Sequence, residues 1–388
     1  MLTHHITIPG SRLAQQHAAI QEELDEAIAG VISRATFTAA TEVQAFEQEF
    51  ADYMGVKYAV GVASGSAAVL LALKALEIQP GDEVISTPNV DISASAPITQ
   101  AGARLVWVDI QPHTYNLDPD RLEAAITSGT RAIVAVHMYG NPVALERILD
   151  IAERYGLAVV EDAALAVGAT YRGRQVGGLG MLGCFSFSPG KILGAFGKAG
   201  MVVTNDAGLA QRVRIWSSYG LDLASLQAIE RGAIGARFEC VAEGFNARLD
   251  ELQAAVLRVK LRHLDESVRR RRANALLYRE MLADLEPEHL ILPQDTPHSE
   301  PVFRVFVVRS RQRDRLMRHL AEGGIWSGLS YVPPLHLQPV YQYLGYKSGC
   351  FPQAEIIADE LLCLPTIPEL SGPEIKQVGE TIRRFFLS

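Results

Sequence analysis

Cysteine is scarce and scattered in this chain. Cys184, Cys240, Cys350 and Cys363 are the only four, and no two have CxxC-type spacing. That excludes a zinc ribbon or a thioredoxin-like motif and fits reduced thiols in a cytoplasm. No apolar run approaches the ~18 residues of a membrane span, so no membrane partner is expected. Met1 to His5 hold no basic stretch leading into an apolar one, and no secretion leader is read there. Positive charge is also short. Lys and Arg number 36 against 44 Asp and Glu, a net charge of −8, which argues against nucleic acid as a partner. The one basic run, Arg269 to Arg272, follows Asp265 and Glu266 and reads as the solvated face of a helix. HExxH, GxSxG and acidic calcium loops are missing, and the ten histidines form no recognisable ligand set, so no metal is expected.

What is present is an ordinary globular composition, 48% hydrophobic over 388 residues, enough for roughly two or three domains. From about Val56 to Asn205, short apolar runs alternate with helix-like segments. Tyr58–Val62, Val84–Thr87, Leu105–Val108, Ala132–Val136 and Ala158–Val160 read as strands; Ser66–Leu76, Leu122–Ile126 and Ala144–Tyr155 read as helices. Strands buried on both faces are continuously apolar, and crossover helices make neighbours parallel. The pattern predicts a doubly wound α/β sheet. After about residue 206 the rhythm changes. A long helix is expected from Asp250 through the arginines to about Leu285, then a strand over Val302–Val308 and a helix over Asp314–Glu322. The expected division is a large domain over 1–249 and a smaller α+β domain over 250–388.

Two nucleotide motifs fail on context. Gly178-Leu-Gly-Met-Leu-Gly183 matches GxGxxG, but it precedes a strand-like run, Cys184–Ser188, instead of following a strand and opening a helix. Gly190-Lys191 resembles the end of a phosphate loop, but Ile192 stands where Ser or Thr must hold magnesium.

Three other elements sit where strands of such a sheet should end, the edge at which open α/β folds bind ligands. Ala63-Ser-Gly-Ser66-Ala67 joins a strand to a helix, and its small residues let N–H groups approach an anion or simply cap the helix. Glu161-Asp162 ends an apolar strand; such a carboxylate can pair with a protonated ring nitrogen or cap the next segment. Cys184-Phe-Ser186-Phe-Ser-Pro-Gly-Lys191 runs a strand into a turn that presents one lysine. An isolated lysine is usually a surface charge, but a buried amine near other cations loses its proton more readily and can form Schiff bases.

Together Ser64-Gly-Ser-Ala-Ala, Glu161-Asp-Ala-Ala, Phe185-Ser-Phe-x-x-x-Lys191 and Gly244-Phe-Asn246-Ala-Arg248-Leu-Asp-Glu-Leu-Gln253 resemble the DegT/DnrJ/StrS family of sugar aminotransferases, within the fold-type-I pyridoxal phosphate (PLP) enzymes. The similarity runs from about Phe37 to the C-terminal helix and includes His137-Met-Tyr-Gly140 and Tyr331-Val-Pro-Pro-Leu-His336. The resemblance implies PLP as cofactor and an amino group passed from glutamate or glutamine to a keto group of a nucleotide-linked sugar. It implies Lys191 as the Schiff-base lysine and Asp162 as the partner of the pyridine nitrogen. Ser66, Ala67 and Ser186 match phosphate-binding positions. Asn246 matches a residue that reaches the phosphate of the neighbouring subunit, so a homodimer with shared sites is implied. Tyr331 and His336 fall in a segment near the substrate. The chain also departs from the family pattern. Leu165 replaces a Gln, Ile92 an aromatic residue that stacks on the ring, Val167 a His, and Lys198 an acidic residue. Alternatives are a transaminase for an aminocyclitol or other small ketone, a PLP enzyme of another reaction type such as a sugar dehydratase, and a non-catalytic regulatory protein on the same fold. The dehydratases of the family carry His in place of the lysine, which counts against them here.

Overall fold

The computed structural model describes residues 6–38, 41–230 and 238–387; Met1 to His5, read above for a leader, lie outside them. Seven strands form the central sheet: β1 (Tyr58–Val62), β2 (Glu83–Ser86), β3 (Arg104–Trp107), β4 (Thr130–Val136), β5 (Ala158–Asp162), β6 (Leu182–Ser186) and β7 (Gly200–Thr204). Their order is β1-β7-β6-β5-β4-β2-β3. Strands β6, β5, β4, β2 and β3 pair in parallel, whereas β7 runs antiparallel to both β1 and β6. Two antiparallel pairings in succession leave β1 pointing the same way as β6. Six of the seven strands therefore end on one edge.

Both faces of the sheet are buried, as the continuously apolar strands require. Val60, Val134, Val160, Cys184 and Val202 pack into one core with the helix Gly65–Ala75, while Ala59, Ile133, Val159, Phe185 and Val203 pack into another with Thr41–Met54. The alternation is the period of two of a strand. A third core joins the Phe306–Arg309/Leu361–Leu364 ribbon to the helices Leu264–Leu282, Arg313–Glu322 and Gly372–Leu387, through Tyr278, Phe306, Leu316, Leu362 and Ile375.

Several local expectations change. Leu122–Ile126 is not an α-helix but lies in short 3₁₀ turns, Pro119–Arg121 and Glu123–Ala125. The expected strand over Val302–Val308 forms only at Phe306–Arg309. The long helix divides at His263 into Glu251–Arg262 and Leu264–Leu282. Ala254 and Leu257 of the first helix face a sheet core, as do Leu264 and Val268 at the start of the second, whose later residues Ala275, Tyr278 and Leu282 face the third core. The arginine run is only half solvated. Arg269 and Arg270 pair with Glu266 at the surface, but Arg271 is buried and donates to the carbonyls of Arg304 and Thr366. Arg272 donates to the carbonyls of Pro301, Gly168 and Glu300. Four consecutive helical residues sweep about 300°, so one face cannot hold them all.

Candidate active site

The carboxyl edge of the sheet collects the chemistry. Ser64–Ala67 follow β1, Asp91 and Ile92 lie beyond β2, His137–Gly140 follow β4, Asp162 ends β5, and the turn to Lys191 follows β6. The helix Gly65–Ala75 starts with Ser64 as its cap, whose Oγ accepts the Ala67 N–H at 3.1 Å. The first N–H groups of a helix lack intrahelical partners and favour an anion. Gly65 is pressed against β6: a Cβ there would lie 2.5 Å from the Cβ of Ser186. Ser186 therefore stands beside the helix start, with Ser66 and Ala67 half-buried on the same turn. Among the described residues, the hydroxyls of Ser66 and Ser186 make no hydrogen bond within the protein.

The two acidic residues that end β5 have separate fates. Glu161 is fully buried and wrapped by the glycine-rich turn that failed as a nucleotide motif. The N–H groups of Gly177, Leu179 and Gly180 donate to its carboxylate at 2.6, 2.7 and 2.5 Å. His137 Nε2 stands 3.1 Å from the same group, and because the His137 Nδ1 accepts the Val143 N–H, Nε2 carries the proton donated to Glu161. Burial pushes the Glu161 carboxyl up, but the His137 hydrogen bond and the N–H groups of Gly180 and Gly177 outweigh it and hold the carboxyl below its usual range. Gly183 must lack a side chain here, since a Cβ would lie 1.8 Å from the Gly177 oxygen. The anion served by this turn is the protein's own.

Asp162, one residue on, faces the other way. It accepts the Ala164 N–H at 3.0 Å, and burial pushes its carboxyl upward against the pull of that N–H and of Lys191. Lys191 is half-buried. Burial lowers its ammonium below the ordinary range, Asp162 opposes that, and the Arg304 charge lowers it further. The turn holding it is closed by Lys191 N–H to the Ser188 carbonyl at 2.9 Å and by Ala195 N–H to the Phe187 carbonyl at 2.8 Å. From outside, the buried Lys260 Nζ donates to the Gly194 carbonyl at 2.8 Å.

The other predicted residues divide. Tyr331 joins the site: its ring lies 5.8 Å from that of Tyr139, and Asp91, Arg304 and Asp162 act on its hydroxyl. Ile92 is the first residue of the helix Ile92–Gln100 and is 45% exposed, while Leu165 is half-buried three residues past Asp162. Val167 is buried and Lys198 exposed. His336 is buried, with Nε2 3.0 Å from Glu355 and its ring edge-on to Phe351. Asn246 is exposed, its backbone bridged to Ser218, and the next carbonyl, Ala247, accepts the Ala63 N–H at 2.9 Å. Sequence reasoning missed Arg304, although a lone cation inside the apolar run Val302–Val308 was the available signal. It also missed Asp91, whose carboxylate caps the Ile92 helix through the Ser93 N–H at 2.8 Å.

Comparison with known proteins agrees with the architecture. The model of the DegT/DnrJ/EryC1/StrS aminotransferase family matches residues 18–383. A Geobacillus stearothermophilus protein named pleiotropic regulatory protein is 38% identical, over 98% of this chain and 99% of its own. The dTDP-3-amino-3,4,6-trideoxy-alpha-D-glucose transaminase of Streptomyces venezuelae is 40% identical over 97% and 96%. The crystal structure of S. venezuelae DesV in complex with a ketimine intermediate superposes with a TM-score of 0.91 at 40% identity, covering 97% of this chain and 98% of that one. The fold class and the family read from the motifs both hold: the chain belongs to the DegT/DnrJ/EryC1/StrS aminotransferase family.

Proposed function

We propose that this chain is a PLP-dependent aminotransferase that passes the amino group of glutamate or glutamine to a keto group of a nucleotide-linked sugar. One observation carries the reading: Asp162 ends β5 and the turn presenting Lys191 follows its parallel neighbour β6, so both stand at one sheet edge beside the helix start that Gly65 packs on Ser186. These residues fit PLP. The Ser64–Ala67 turn with Ser186 would take its phosphate, Asp162 its ring nitrogen, and Lys191 its carbonyl carbon. Bound there, the cofactor supplies an electron sink for the substrate carbon.

The protein's own groups do the rest. Lys191, with its proton loosened by burial, holds the cofactor and then moves a proton at the substrate carbon. Burial pushes Asp162 towards its neutral form against the pull of Lys191, and a protonated ring nitrogen beside it would hold it ionised, each favouring the charged form of the other. Arg304 lies over Gly190, the residue before Lys191, and the Tyr331 ring packs beside Tyr139. His336 keeps Nε2 on Glu355, while its Nδ1 is buried without a partner, so only Nδ1 would be open to a substrate group. Asn246 is exposed on a backbone tied to the end of β1, and that exposure supports the homodimer with shared sites that the family resemblance implies. Four cysteines without a disulfide support the cytoplasm as compartment, and the division at residue 250 remains part of the proposal.

The acceptor class is supported by the S. venezuelae relative, whose name places the amino group at a sugar's 3 position. A regulatory role is the rival, favoured by the name of the Geobacillus relative. A half-reaction decides. The purified protein with PLP should convert the cofactor to its amine form on adding glutamate, and a keto-sugar nucleotide should reverse the change. Bound cofactor that never responds to any amino donor would favour the regulatory reading.

A further inference from the structure

We propose that Lys260 is a positioning residue for Lys191, its ammonium fastening the far limb of the Lys191 turn to the N-terminal segment 8–18. The role rests on the aminotransferase reading and adds to it the support of its lysine.

The turn has two limbs that touch. Lys191 N–H closes the first on the Ser188 carbonyl at 2.9 Å, and Ala195 N–H closes the second on the Phe187 carbonyl at 2.8 Å. Gly194 packs between them so tightly that a Cβ there would lie 2.6 Å from the Pro189 oxygen and 3.1 Å from the Ser188 oxygen. A shift of Gly194 is therefore passed to the residues that carry Lys191. The Gly194 carbonyl accepts from Lys260 Nζ at 2.8 Å.

Lys260 is 6% exposed within the helix Glu251–Arg262, and among the described residues no carboxylate pairs with it. Burial lowers its ammonium to about 8 against the pull of Glu369, so it is still charged at neutral pH. An ammonium carries three donors, and a buried one is costly unless they are used. Three acceptors meet this one: the Gly194 carbonyl, Gln16 Oε1 at 3.4 Å and His17 Nε2 at 3.1 Å. Burial and the nearby ammonium hold His17 below its ordinary range, which leaves its ring neutral and Nε2 able to accept. Phe196, two residues past Gly194, completes the contact, its ring centre 5.1 Å from the ammonium and 4.5 Å from that of His17.

The N-terminal segment is itself anchored elsewhere. Ile8 belongs to the third core, and its carbonyl accepts the Trp326 N–H at 2.9 Å. Gly10 lies flat on the Trp326 ring, where a Cβ would come within 2.6 Å. Arg12 pairs with Glu374, and Gln16 Nε2 donates to Glu369 at 3.0 Å. The helix Leu13–Ala18 buries no residue of its own, so these polar contacts hold it. Lys260 thus joins the turn to a segment fixed on a different core. Lys191 must both hold the cofactor and move a proton, and a misplacement of about 1 Å in a reacting group can cost about 100-fold in rate.

Two variants test the role. Lys260→Met removes the ammonium. The pair Gln16→Ala with His17→Ala leaves Lys260 and Gly194 in place and cuts only the link to the N-terminal segment. Amide hydrogen exchange of the full chain, with and without PLP, should rise about tenfold or more over 188–195 in both, and no more than about twofold in β4 and β5, as the loss of one charge-assisted bond predicts. With PLP bound, the single-turnover reaction of Lys260→Met with glutamate should slow about 10- to 100-fold while its half-saturating concentration stays within about twofold, because the loss falls on the proton step. The pair variant changes no buried residue, so its exchange decides even where Lys260→Met does not fold. Unchanged exchange over 188–195 overturns the role. So does a rise spread evenly over the sheet, or a loss confined to glutamate's half-saturation. Borohydride fixation of PLP to Lys191 in the wild type checks the aminotransferase reading separately: its failure beside a positive exchange result would sink that reading and leave the link between turn and segment standing.

Discussion

Gly65 and Ser186 touch so closely that a Cβ on the glycine would lie 2.5 Å from the Ser186 Cβ. The first turn of one helix and the last residue of a central strand are thereby held as one surface. Gly65→Ala should be informative because two effects oppose each other. In an unobstructed helix the change would stabilise by roughly 0.5–1 kcal/mol. Here the crowding should win, at about 1–3 kcal/mol. The variant should be less stable in chemical denaturation and should release PLP about tenfold more readily, read by absorbance titration. A stabilised variant with unchanged cofactor affinity would show that the contact has room to relax.

Glu161 links stability to pH. Its folded carboxyl lies below the ordinary value of 4.5, so its contribution is fully present above that pH and is lost as pH falls through the folded value. Glu161→Gln should remove much of that acid sensitivity while costing about 3–5 kcal/mol at neutral pH, as removal of one partner from a buried network does. The reason is geometric. Each Glu161 oxygen accepts from two donors, so whichever way the amide turns, its NH₂ faces two N–H groups. Urea denaturation across pH 3–8 would check both the size and the sign.

The sequence made the sheet legible because its strands are apolar on both faces and need no context to be seen. It made the Lys191 turn and the Asp162 strand end legible by residue type and position. It hid what depends on packing between distant parts. β7, Gly200–Thr204, follows no crossover helix, and only pairing with β1 and β6 reveals its reversed direction. The GxGxxG match fails as a nucleotide motif on its sequence context, but its place in a cradle for Glu161 is seen only in the fold. Arg271 looked like its exposed neighbours because periodicity gives the face of a helix, not what covers it. Arg304 stands out as a lone cation in the apolar run Val302–Val308, but only the fold brings it over Gly190.

Asp162→Asn should separate cofactor retention from chemistry. The phosphate contacts proposed at Ser66, Ala67 and Ser186 remain, so the variant should stay partly yellow. Its neutral amide can no longer stabilise a protonated ring nitrogen. The transamination rate should fall about 100-fold or more, the scale on which preorganised charge acts. Single-turnover kinetics with glutamate would measure it, and near wild-type turnover would reduce Asp162 to a structural role.

Leu165 and Ile92 test whether the departures from the family pattern matter. Leu165 lies half-buried just past Asp162, and Ile92 opens the helix capped by Asp91. A Gln at 165 would add a hydrogen bond to the ring oxygen, and a charge-assisted bond contributes about 1.5–3 kcal/mol. A Phe at 92 would add a stacking term of about 0.5–1.5 kcal/mol beyond area burial. On the family pattern Ile92 would already give apolar cover, so part of that second gain would exist; Leu165 would offer no substitute for the first. The double variant Leu165→Gln with Ile92→Phe should therefore bind PLP at least tenfold more tightly, measured by titrating the apoprotein. Turnover then separates two causes for the departures. An enzyme limited by its cofactor should speed up at low PLP, whereas a pocket shaped for an unusual substrate should lose turnover with it. If neither affinity nor turnover responds, the two positions have drifted without consequence.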